Sequence, residues 1–209
     1  SIALAHNCLA IILCMHDWKW EEAEVEFKRS LECDASSAYG HLNYAFHLSG
    51  LGRHEEAVRE TEIARRLDPL STVINTWAAS RLLPAGLVDE GLAILEDVAA
   101  RDPDAWQPHL WLSEALLYAG SRKQAIIHAE RAADLAGHLA VTKAVLASAY
   151  YLDGRRGDGD AVLRELEDRA LKGYVSPVLM ARVHIARGSV GEAVNYAERG
   201  FEGHDHWLQ

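Results

Sequence analysis

Apolar and polar positions alternate along this chain with helical rather than strand periodicity. Residues 38–71, AYGHLNYAFHLSGLGRHEEAVRETEIARRLDPLS, divide into two amphipathic stretches about a turn at Gly50-Leu51-Gly52. That pattern predicts a pair of antiparallel helices. Ala45 on the first stretch, with Ala57 and Ala64 on the second, supplies the small residues that close helix approach needs. Asp68-Pro69 predicts the stop, because proline lacks an N–H and clashes with the preceding turn.

The same block returns at a constant interval. The turn glycine stands at positions 52, 86, 120, 154 and 188, each 34 residues after the last. A second series at 34 runs Ala23, Ala57, Gly91, Ala125, Gly159 and Ala193, always Ala or Gly. A third runs Ile11, Ala45, Ala79, Ser113, Ala147 and Ala181, and the Asp-Pro stop repeats at Asp102-Pro103. Unrelated helices have no reason to keep phase over six copies. A 34-residue helix–turn–helix unit with small residues at these offsets resembles the tetratricopeptide repeat (TPR). The resemblance implies an all-α fold, a right-handed α-solenoid of about six TPR units. Their expected spans are 4–37, 38–71, 72–105, 106–139, 140–173 and 174–207, in one solenoid domain over 1–209.

Departures from the pattern refine the expected elements. The first unit carries Trp18 at the glycine position of its turn, with helices expected over about 3–16 and 20–33. Pro84 should end the first helix of the third unit early. Gly91 inside the following helix lowers propensity by about 1 kcal/mol, and close packing is expected there. Pro108 suits a first helical turn. Ser121 and Ser176 are expected N-caps, Pro177 a helix start and Gly137 a helix stop. Later helices are expected over about 156–171 and 190–202, with Trp207 and Leu208 folding back on the last. Residue 1 is Ser and already lies in a helical pattern, so the chain reads as a fragment of something longer.

Composition narrows the function classes. Hydrophobic residues make up 49%, enough for a continuous core, and net charge is -10. That balance argues against direct nucleic-acid contact, which needs clustered Lys and Arg, and against anionic membrane surfaces. The apolar run Leu9–Met15 is too short to span a membrane. Cys8, Cys14 and Cys33 form no CxxC pair, so neither a disulfide framework nor a zinc site is indicated. They read as buried helix cysteines acting as small hydrophobes, compatible with a reducing, cytoplasmic compartment.

No catalytic signature is present: there is no GxSxG, no HExxH and no paired carboxylate set on a strand–loop frame. The loop Asp153-Gly154-Arg155-Arg156-Gly157-Asp158-Gly159 lacks a GK[ST] and follows no strand, so it reads as a helix–helix turn rather than a phosphate cradle. His41 and His109 share a repeat offset but lie two units apart, too far to ligate one metal ion. His204-Asp205-His206 makes an incomplete metal site. The chain reads as non-enzymatic, with no metal and no cofactor.

The TPR resemblance implies that the first helices line a concave surface. Its offsets place Leu42, Phe46, Leu83, Leu110, Glu114, Leu117, Tyr118, Tyr151, Val178 and Arg182 there. Part of that list is expected to be inter-helix packing, and part a groove for an apolar peptide or helix. The carboxylate clamp by which some TPR domains hold acidic C-terminal tails is absent, since the matching offsets hold Cys8, Ile12, Leu42, Phe46, Thr76 and Ser80. Asp17-Trp18, Tyr174-Val175-Ser176-Pro177 and Trp207-Leu208 are similar to the C-terminal TPR arrays of bacterial multidomain signalling proteins. Those arrays follow winged-helix, cyclase or kinase domains. The resemblance implies a sensory or regulatory module with a protein or peptide partner. A homodimer through the apolar first helix, or a small-molecule sensor, is the alternative.

Overall fold

A computed structural model of the chain describes residues 1–205. The described residues form twelve α-helices and no strand. In order they are α1 (Ile2–Met15), α2 (Trp20–Cys33), α3 (Ala38–Gly50), α4 (His54–Leu67), α5 (Thr72–Leu82) and α6 (Val88–Arg101). There follow α7 (Trp106–Tyr118), α8 (Arg122–Ala136), α9 (Ala140–Leu152), α10 (Arg156–Lys172), α11 (Pro177–Arg187) and α12 (Val190–Glu202). The expected folding-back of Trp207 and Leu208, and His206 of the tail cluster, lie outside the described residues.

Odd and even helices pair into six hairpins, and the turns explain the glycine series. Gly52, Gly86, Gly120, Gly154 and Gly188 all have φ between 75° and 86°. Only glycine takes that left-handed region without a steric penalty. In the first hairpin Trp18 occupies it instead, at φ 55°.

Capping differs between the two helices of a hairpin. The first helices at Ser1, Ser37, Ser71 and Ser176 are capped by a serine hydroxyl that accepts a backbone N–H. Ser121 departs from expectation, because its side chain makes no cap bond. It leaves the turn at φ -85°, ψ 60°, as Arg53 and Arg155 do at nearly the same angles, and none of the three caps with its side chain. The tight turn satisfies backbone groups itself: Ser121 N–H donates to Leu116 and Arg122 N–H to Gly120. As the sequence predicts, α5 ends at Leu82, ahead of Pro84.

The described residues divide into two compact units, residues 1–101 and residues 102–205. Each contains three hairpins. In the first, α1, α3 and α5 neighbour one another as a layer. Its core joins Phe27, Tyr44 and Leu48 around Ala10, Ala23, Ala45 and Ala57, with a second cluster around Leu42, Ala64, Ile74 and Ala78. In the second, α7, α9 and α11 form the equivalent layer, over a core that includes Val145, Leu163, Leu166, Met180 and Val183. The small-residue series is the reason the hairpins close. Ala23, Ala57 and Ala125 have no exposed surface, and neither do Ala45, Ala79, Ser113 and Ala147. Fully burying a side chain such as Phe27 or Leu166 contributes about 1.5–3 kcal/mol.

Cysteine placement corrects one expectation. Only Cys14 is buried; Cys8 and Cys33 are exposed. Burial pushes the Cys14 thiol up to about 11.

Candidate functional site

The first unit carries a recess of about 240 Å³ on its layer of first helices. Ile11, Cys14 and Met15 of α1 form one wall, Tyr39, Leu42, Asn43 and Phe46 of α3 the middle, and Val73, Trp77 and Arg81 of α5 the other wall. Phe27 of α2 closes it from behind. Tyr39 is 54% exposed and Val73 36% exposed, so the recess opens to solvent between them. The walls are overwhelmingly apolar, and Arg81 is the one charged residue among the described lining residues.

The polar groups of this groove are positioned. The Arg81 guanidinium lies over the Phe46 ring, 4.9 Å from its centroid. Its Nε and Nη2 both donate to Ser80 Oγ, at 3.2 and 3.1 Å. Burial lowers the Arg81 pKa to about 10, still charged at neutral pH. Asn43 donates its amide to Asn7 Oδ1 at 2.8 Å, which ties α3 to α1 along the groove edge. Behind the wall, His47 Nδ1 meets Cys14 Sγ at 3.4 Å, and its ring lies 5.4 Å from that of Phe27. Burial lowers the His47 pKa, so the imidazole stays neutral.

A polar cluster centred on the Glu24 carboxylate of α2 braces the same unit, tying α2 to α3 and to the turn before α4. Tyr44 Oη, Lys28 Nζ and Arg53 Nη1 converge on Glu24, at 3.1, 2.8 and 2.9 Å. Burial alone would raise the Glu24 pKa, but these hydrogen bonds and the Arg53 charge bring it down to about 2. Tyr150, Glu130 and Arg155 repeat the theme in the second unit, with Tyr150 Oη donating to Glu130 at 2.8 Å.

The ten residues named from the sequence fall into several settings. Leu42 and Phe46 line the recess of the first unit. Leu83 is buried against α6, where a Cβ on Gly91 would come 3.2 Å from its Cδ2. Leu110 belongs to the core of the second unit. Glu114 and Arg182 pair with each other from α7 to α11, Arg182 Nη2 donating to Glu114 Oε1. Tyr151 is buried, its ring filling the space left by Gly159 and its hydroxyl donating to Asp160 at 2.7 Å. Val178 packs on Gly200 of α12. Leu117 is half-buried and Tyr118 stands 69% exposed at the end of α7.

Sequence reasoning passed over Ile11, Met15, Tyr39, Asn43, Val73, Trp77 and Arg81. A signal existed: Val73, Trp77 and Arg81 recur every four residues, as one stripe of a helix does, and Tyr39 and Asn43 hold the matching offsets one unit earlier. Among the described residues no cluster of three or more His, Cys, Asp or Glu could hold a metal ion. No helix among them is long and apolar enough to cross a membrane.

No family model and no curated protein matches the chain. Solved structures do. PilW, a widely conserved type IV pilus biogenesis factor, is similar over 95% of this chain and 92% of its own, at 19% identity and TM-score 0.72. A thermophilic TPR protein of Thermus thermophilus is similar over 94% and 97%, at 17% identity and TM-score 0.71. PilF of Pseudomonas aeruginosa is similar over 95% and 90%, at 17% identity and TM-score 0.68. With six hairpins, five of them turned on glycine, and these likenesses across nearly its whole length, the chain has the fold of the tetratricopeptide repeat proteins.

Proposed function

We propose that this chain is a non-catalytic protein-interaction module that holds a peptide or partner helix in the apolar groove of its first unit. The observation that carries this reading is the recess itself. Three consecutive first helices present Ile11, Met15, Phe46, Val73 and Trp77 toward one solvent-accessible space. Exposed apolar surface with aromatic members is what partner sites use. The short similarities at Asp17-Trp18 and Tyr174–Pro177 support a wider setting as the C-terminal sensory or scaffold part of a cytoplasmic bacterial signalling or transcriptional regulator. The net charge of -10 supports a protein rather than a nucleic-acid partner.

Selection of displayed peptides against the protein tests the reading. Selected peptides should lose binding to Tyr39→Asp and Val73→Asp variants that keep their helicity. They should bind the Tyr118→Asp variant, altered in the second unit, as they bind the parent. Equal binding to all variants would overturn the assignment of the groove. Leu110 is unsuitable for such a test, because a charge there disrupts the core before it reaches a surface.

A second reading rests on α1. Ile2, Leu9 and Ile12 stand 72%, 45% and 54% exposed along one stripe of that helix. Such a stripe suits a second copy of the chain.

A further inference from the structure

We propose that two copies of this chain pair through α1, antiparallel about a two-fold axis that passes beside Cys8. The proposal rests on the second reading above, in which α1 meets a second copy, and gives that contact a geometry. Ala5, Cys8, Leu9 and Ile12 are all exposed. Their spacings of three and four residues place them on one stripe of the helix. Ala3, Asn7, Ala10 and Cys14 are buried on the opposite side. The stripe matches its own reverse. The helix runs Ile2–Met15, so its midpoint falls between Cys8 and Leu9. In an antiparallel pair centred there, positions equidistant from the midpoint face each other. Ala5 then meets the partner's Ile12, a small residue against a large one, at both ends of the contact. Cys8 and Leu9 flank the axis.

Charge selects a second copy as the occupant. This helix contains no Asp, Glu, Lys or Arg, whereas the chain carries a net charge of -10. Two copies repel where their charged surfaces approach, and least where a neutral helix meets its own duplicate. A partner chosen by charge finds nothing on this face to pair with. The contact is small. At a rise of about 1.5 Å per residue the helix is about 20 Å long, and one face of it falls below the about 800 Å² per partner of a durable interface. The pairing is therefore reversible and concentration-dependent, and chemical trapping is its direct test. Helices packed about 8–10 Å apart, with Cα atoms about 2.3 Å from each axis, bring Cα atoms of facing stripes to about 4–6 Å. A disulfide spans about 4.4–6.8 Å between Cα atoms. Cys8 lies less than about 1 Å along the helix from the two-fold, so it comes within that span of the partner's Cys8.

The test combines light scattering over a concentration series with diamide oxidation of parallel samples, and circular dichroism confirms that each variant is folded. Diamide takes up one hydrogen from each of two thiols as their sulfurs join. The parent mass should rise toward that of a dimer, and non-reducing electrophoresis should show a covalent dimer that a reductant reverses. Cys33→Ser should keep the covalent dimer and Cys8→Ser should lose it. Cys33 is exposed as well, so it reports random collision. In a Cys8→Ser background, Ala5→Cys and Ile12→Cys proteins should cross-link to each other when mixed and not to themselves. Ile12→Cys joined to itself would mean parallel helices and overturn the proposal. Trapping through Cys33 as readily as through Cys8 would overturn it too. A mass that rises with concentration and falls back in Leu9→Glu with Ile12→Glu, without a Cys8 cross-link, would overturn the two-fold geometry and leave the second reading standing. Monomer mass at every concentration would overturn both.

Discussion

Positions 41, 75 and 109 stand 34 residues apart and share one task. His41 Nε2 lies 3.1 Å from the Ala35 carbonyl, Asn75 Nδ2 donates to Pro69 at 3.0 Å, and His109 Nε2 lies 3.4 Å from the Pro103 carbonyl. Each pins its helix to the loop six residues before it. The other ring nitrogen has diverged. His41 Nδ1 meets Glu60 at 2.6 Å, whereas His109 Nδ1 meets His128 Nδ1 at 3.0 Å; position 128 is position 60 advanced by two repeats. With its Nε2–H directed at Pro103, neutral His109 accepts at Nδ1 and His128 donates. Two such nitrogens tolerate one shared proton and not two. Burial lowers the pKa of both rings, with the Arg131 charge adding to the effect on His109 and the His109 charge to that on His128. A folded-state pKa held below the usual 6.5 means that the stabilisation is present above that value and is lost as pH falls beneath it. His128→Glu restores the His41–Glu60 arrangement, and we expect its melting temperature to fall less than the parent's between pH 7 and pH 5. Parallel pH profiles in differential scanning calorimetry would contradict this.

At the scale of the element, helix pairing was legible before the structure and side-chain direction was not. The glycine turns and the Ala/Gly series located all six hairpins, because positive φ and close backbone approach restrict residue choice independently of context. Ala125, at zero exposure, sits at such an approach. We expect Ala125→Leu to destabilise by about 1–3 kcal/mol through overpacking, and an unchanged denaturant midpoint would show that the helices have room. The candidate site was less legible for a specific reason. Leu83, Tyr151 and Val178 each lean into a space left by a glycine on the helix that follows, Gly91, Gly159 and Gly200. A missing Cβ draws a large side chain away from the surface that its offset assigns to it. Two of those glycines belong to the 34-residue series, so the swap was written in the chain, but only as a pair read across two helices. Arg81 escaped for the opposite reason: an arginine in a last helical turn reads as a helix-end residue until Phe46 is seen beneath it.

For the whole molecule, each unit of three hairpins has its own core, consistent with stability that sums over repeats and their neighbours. The charge of -10 disfavours self-association at low salt, while the apolar stripe of α1 favours it. Light scattering decides between these effects. If the stripe pairs two copies, Leu9→Glu with Ile12→Glu should halve the measured mass at physiological salt. A parent protein already at monomer mass would remove that reading and leave the groove as the interaction surface.

The recess draws its walls from three successive hairpins, whose caps and turns would still match if the middle one were excised. Removing codons 38–71 in frame would bring α1 beside α5 with the 34-residue phase intact. It would also delete Tyr39, Leu42, Asn43 and Phe46, the floor on which Arg81 rests. A single recombination between repeats can therefore remove the recess while sparing foldability, and a homologue one unit shorter would inherit the scaffold without the proposed binding groove.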